Sequence, residues 1–163
     1  MEKHSIKAVN LFKSGYNCAQ SVLGAFCEEF NMDFETAMKL TSSLGAGMGR
    51  LREVCGAVSG MFLVAGLKYG YTDPKDYKAK TKHYKLIQEL AEEFKQKNKY
   101  IVCKDLLGLT RKDGYTPEKR TEEYYKKRPC SELVGCAAEI LDELFEKENR
   151  EDIKNENCNT GGQ

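Results

Sequence analysis

The sequence predicts an all-α fold, a single-domain multi-helix bundle. Three observations carry this expectation. The 163 residues hold only three prolines, apolar residues return at steps of three and four along most of the chain, and no run rich in Pro, Gly or Ser divides it. A chain of this length buries roughly 68–70% of its unfolded surface, enough for one core without covalent staples.

The elements follow in order. Ile6, Val9, Leu11 and Phe12 make a short first helix closed by Gly15. Asn17 stands where a cap would, ahead of a helix whose Val22, Leu23, Phe26 and Phe30 share one face. Asp33 caps a third helix carrying Phe34, Ala37, Met38 and Leu40. The stretch Gly45-Ala46-Gly47-Met48-Gly49-Arg50 then breaks the pattern, because three alternate glycines remove too much helix propensity. A nearly uncharged helix over about 54–69 is the predicted buried centre, rich in Gly and Ala. Its Gly56-x-x-x-Gly60 spacing is read as tight helix packing.

Asp73-Pro74 is expected to open a long amphipathic helix through Leu86, Ile87, Leu90 and Phe94, ending in Lys95 to Lys99. Its charged side is read as a solvated face. Tyr100 to Leu107 should begin extended and close as a brief helix before Gly108. Thr116-Pro117-Glu118 looks like the cap and first turn of a small charged helix, stopped by Arg128-Pro129. The last strong helix should run from about Cys130 to Glu146. The domain is thus expected over 1–148, and 149–163 is too poor in apolar residues to order itself, so it reads as a disordered tail.

Composition excludes several function classes. Twenty-six Lys and Arg against 25 Asp and Glu leave a net charge of +1, so there is no basic field for nucleic acid. The longest apolar stretch, Ala57 to Leu67, is too short for membrane insertion, and Met1 to Ser14 lacks a signal-peptide run. The expected location is cytoplasmic, where thiols are kept reduced.

That expectation bears on Cys18, Cys27, Cys55, Cys103, Cys130, Cys136 and Cys158. No two make a C-x-x-C pair, which excludes a thioredoxin motif, covalent c-type haem and paired zinc knuckles as local signatures. Any shared site must be assembled from separate segments. Cys18, Cys55, Cys103 and Cys130 each fall near the start of a predicted helix, where unpaired N–H groups and the positive end of the dipole favour a thiolate. Cys27 and Cys136 lie in helix bodies and read as small core or surface residues, and Cys158 lies in the tail. With His4 near the N-terminus and His83 on a charged helix, no histidine-based metal site is expected. Gly45, Gly47 and Gly49 lack the spacing of a phosphate loop. The favoured reading is a tight turn feeding the central helix; with Arg50 and Arg52 nearby they could also hold an anion or press close to whatever occupies the cysteine site.

Asn17-Cys18-Ala19-Gln20, the glycine run with Met48, Val54-Cys55-Gly56-Ala57-Val58-Ser59-Gly60, Cys103-Lys104-Asp105-Leu106-Leu107-Gly108 and Cys130 with Leu133-Val134 together resemble the C-GCAxxG-C-C family of putative redox-active proteins. The likeness covers roughly Ile6 to Phe145. It implies that the family cysteines map onto Cys18, Cys55, Cys103 and Cys130, and it leaves Cys27, Cys136 and Cys158 outside the pattern.

Two uses of the four thiols stay open at this point: dithiol/disulfide pairs in an oxidoreductase or electron-transfer protein, or ligands of a thiolate-bound metal or iron–sulfur cluster. Either implies a redox partner, and a homo-oligomer is also open. The rival from another class is a non-catalytic helical binding or assembly module whose cysteines are core filler.

Overall fold

The computed structural model describes residues 2–111 and 113–159, with side chains to Asn155. These residues form eight helices and no strand: α1 His4–Lys13, α2 Cys18–Phe26, α3 Phe34–Thr41, α4 Gly56–Tyr69, α5 Tyr77–Asn98, α6 Cys103–Leu106, α7 Glu122–Lys127 and α8 Cys130–Asn159. Short 3-10 turns at Cys27–Phe30 and Ser42–Leu44 extend α2 and α3.

The core lies among α1, α2, α4 and α8. Phe12, Phe26, Leu23, Met61, Val64, Ile140 and Leu141 are all but fully buried there, each worth about 1.5–3 kcal/mol relative to exposure. The central α4 is covered from Gly56 through Met61 and again at Val64 and Ala65. Its two glycines have the role expected of them. A β-carbon on Gly60 would stand 2.9 Å from Val22 Cβ, and one on Gly56 would stand 3.0 Å from Cys18 Cβ. Helix α2 therefore crosses α4 with backbones in near contact, and the crossing sets Cys18 beside the start of α4.

Three boundaries differ from the sequence expectation. Helix α5 opens at Tyr77 instead of at Asp73-Pro74, because the Asp76 carboxylate takes the Ala79 N–H at 2.9 Å. The small charged helix begins six residues after Thr116, where Thr121 Oγ1 accepts the Tyr124 N–H. The largest difference is at the C-terminus, where α8 continues through the expected tail as far as Asn159. Extending an already packed helix requires no new nucleation, and the Glu146–Arg150 pair at 3.1 Å joins successive turns of the exposed portion. The last four residues lie outside the described ones.

The glycine stretch does break the helix, and it does so by reversing hand. Ala46, Gly47, Met48, Gly49 and Arg50 have φ of 53°, 68°, 65°, 64° and 68°, and Arg52 follows at 60°. A bond of 2.9 Å from Gly49 N–H to Gly45 O closes this left-handed turn. Each non-glycine residue held this way costs about 1–2 kcal/mol. At Gly47 substitution would bring strain and collision together, since a β-carbon would lie 2.6 Å from Cys103 Cβ and 2.7 Å from Arg52 Cα.

Candidate functional site

All four cysteines picked out by their sequence positions stand at helix starts. Cys18, Cys103 and Cys130 are the first residues of α2, α6 and α8, and Cys55 is the N-cap of α4. Each is placed by its own local device. For Cys18 it is a reciprocal capping box: Asn17 Oδ1 accepts the Gln20 N–H at 2.8 Å, and Gln20 Oε1 accepts the Asn17 N–H at 2.9 Å. Arg120 holds the preceding chain by donating to the carbonyls of Phe12 and Tyr16, both at 3.2 Å.

Cys55 and Cys103 are brought together by an isolated antiparallel bridge between Val54 and Val102. The Cys55 N–H donates to Ile101 O at 2.8 Å, and the Cys103 N–H donates to Glu53 O at 2.6 Å. Both cysteines flank the bridge residues and so project to the same side of it as diagonal neighbours.

The four side chains meet at one cavity of about 20 Å³, closed by Ala46 and Gly47 of the left-handed turn, Gly56, Leu106, Leu107 and Leu133. Such a space holds about one water-sized atom. Cys18 and Cys130 line it together, and each sulfur acts on the ionisation of the other. Among the described side chains six cysteines are free thiols, and five of them, all but Cys136, are buried.

Electrostatics separates the four. Interaction with the Cys18 S–H holds the Cys130 thiol below its ordinary range, with Arg128, Arg120 and Arg52 acting the same way against the cost of burial. The same interaction, followed by burial, pushes Cys18 well up. Burial raises Cys55 to about 12, opposed by the N–H groups of Ala57 and Val58. Burial also raises Cys103, and here Arg52 opposes it, its Nη1 lying 3.7 Å from the sulfur.

Arg52 is a charge taken almost wholly out of water, 5% exposed. Asp113 makes this tolerable by accepting from its Nε at 3.0 Å and its Nη2 at 2.8 Å. Arg50 reaches the same carboxylate at 2.9 Å and donates to the carbonyls of Asp113 and Gly114. Arg128 pairs with Glu118. The loop between α6 and α7 is thus fastened by arginines beside the thiols.

The remaining sequence-selected residues divide. Gly47 lines the cavity, whereas Gly45 packs against the Asn17 side chain, a β-carbon on Gly49 would lie 3.7 Å from Ser43 O, and Arg50 turns to Asp113. Cys27 donates to Gly24 O and lies in the apolar core, and Cys136 accepts from Asn98 Nδ2 at 3.3 Å, both away from the cavity. The Cys158 side chain lies outside the described residues. Sequence reasoning named Arg52 beside the glycine turn but did not select Asp113, Arg120, Arg128 or Tyr124 for the site. No spacing could have joined Arg52 to a carboxylate 61 positions away.

The donor set suits a soft metal. Among the described residues no group of three or more His, Cys, Asp or Glu side chains is placed to hold a metal ion. None of the described helices is long and apolar enough to cross a membrane.

No curated protein and no solved structure matches the chain. A family model does match it, over residues 16–144. That span runs from the capping box of Cys18 past Cys130 and takes in all four converging cysteines, so the chain belongs to the family described as Putative redox-active protein (C_GCAxxG_C_C).

Proposed function

We propose that this chain is a thiol–disulfide redox protein whose working couple is Cys18 and Cys130. The observation that carries the reading is the meeting of these two side chains at a cavity where four helix starts converge. It gives each sulfur a separate task. Cys130, held toward its thiolate, is the attacking sulfur, and Cys18 keeps its proton until it resolves the intermediate.

In the oxidative direction the Cys130 thiolate attacks one sulfur of a disulfide, whose S–S bond breaks and releases a thiolate. Cys18 then attacks the Cys130 sulfur of the mixed disulfide. A second thiolate leaves, and the Cys18 proton ends on one of the two released groups. Cys55 and Cys103 wall the cavity; their diagonal placement across the bridge makes them a poorer pair than Cys18 and Cys130. A reducing, cytoplasmic setting suits a couple that must be returned to the dithiol.

The test is disulfide mapping of the intact protein after mild oxidation by hydrogen peroxide. A Cys18–Cys130 link as the first product is expected. If no link forms, or if the first one involves Cys27 or Cys136, the reading falls.

A further inference from the structure

The wall of the thiol cavity is shared with a groove. Leu106 and Leu107 line both the cavity and a surface groove of about 390 Å³. The groove runs to Arg128 and Pro129, the residues directly before Cys130. Tyr124 also lines it, and lies close enough to Cys130 and Cys18 for both sulfurs to disfavour its phenolate. The groove is therefore the outer face of the thiol centre. Its volume is that of a small-molecule site.

Its chemistry is two-sided. Leu106, Leu107, Tyr124 and Pro129 offer apolar surface, while Lys127 and Arg128 bring positive charge to the rim. Glu118 answers Arg128, and Glu123 answers Lys127 at 2.7 Å. Behind the rim Arg50 and Arg52 share Asp113. Arg120 spends its donors on main-chain carbonyls, and among the described residues no carboxylate pairs with it. The groups named thus carry more positive than negative charge.

We propose that this groove admits a low-molecular-weight disulfide bearing carboxylates, which is the oxidant of the Cys18–Cys130 couple. The proposal rests on the reading of that couple given above. The apolar wall receives the carbon chain, the cationic rim receives the carboxylates, and the disulfide is delivered to Cys130 past Leu106 and Leu107. In sum, Cys18–SH, Cys130–S⁻ and RSSR become the Cys18–Cys130 disulfide, RSH and RS⁻. The two electrons lost by the protein thiols reduce the incoming disulfide.

The experiment compares two probes on the reduced full-length protein: 3,3′-dithiodipropionate, with two carboxylates, and cystamine, with two ammonium groups. Each rate is divided by that of the same probe with 2-mercaptoethanol, which removes the probes' intrinsic difference. The anionic probe is expected to lead by about tenfold at low salt, with the lead shrinking at high salt. Lys127→Glu should cut it by at least about threefold. Equal normalised rates, or a lead that Lys127→Glu leaves unchanged, overturn the groove assignment. Hydrogen peroxide, small and uncharged, separates the two levels. If it forms the Cys18–Cys130 link while the charged probes show no preference, only the groove fails; if it forms no link, the couple fails and the groove with it.

Discussion

The apolar body of the bundle and the thiol-lined cavity are built from the same helices but held by different forces. In the body, Phe12, Phe26, Met61 and Leu141 are buried by ordinary packing, and Cys27 fits among them as a small apolar side chain. At the cavity the backbone reverses hand, a guanidinium is buried, and helix starts replace helix flanks. Burial alone does not distinguish the two places, since Cys27 is more deeply covered than Cys130. What differs is the polarity of the surroundings: unpaired N–H groups and arginines at one, closed apolar packing at the other.

Substitutions can break or sharpen that contrast. The largest effect is expected from Cys130→Ser, which should abolish the first disulfide and slow oxidation at least about a hundredfold, while Cys27→Ser leaves both unchanged; thiol titration and disulfide mapping read this out. Next comes Phe26→Ala in the body. It should cost about 3–5 kcal/mol in urea unfolding without altering which cysteines pair.

Gly47→Ala attacks the cavity instead. Strain at positive φ and collision with Cys103 and Arg52 should cost about 2–3 kcal/mol and, unlike Phe26→Ala, should also change the order in which the cysteines are alkylated. A smaller effect concerns acid. The Arg52 side chain bonded to it holds the Asp113 carboxyl below the usual range, so its contribution to stability is present above the unfolded-state value near pH 4. It is lost as pH falls through the lower folded value. Asp113→Asn should flatten that limb of the stability profile, as read by urea midpoints against pH. The smallest change is expected from Glu146→Gln on the exposed part of α8, no more than about 0.5 kcal/mol for an i,i+4 pair.

The sequence reveals most of the fold and half of the site. Asn17, Asp33 and the glycine break mark their boundaries through side chains that act within a few residues. The four cysteines were legible for the same reason, each being tied to a local start signal. The partners of Arg52 and Arg120 were not, because their contacts join residues 61 and more than 100 positions apart through a loop with no periodicity to read. The run of α8 past Glu146 was not legible from the apolar content of the residues beyond it, because what sustains a helix there is the packed portion preceding it.

The left-handed turn has a consequence for the order of assembly. L-residues do not favour that hand, so the local bonds from Gly49 N–H to Gly45 O and from Glu53 N–H to Gly47 O close it against strain. Bonds to distant parts of the chain add to these: Lys104 N–H to Arg52 O and the Asp113 clasp on both arginines. The wall of the cavity is therefore complete only once α6 and the loop beyond it have arrived. It should also be the first part to let go, opening at a lower free energy than the whole molecule. Hydrogen exchange at Gly49 faster than at Leu141 would mark that order, and it would mean that the same strained turn that shields the thiols also gives them their easiest route into contact with solvent.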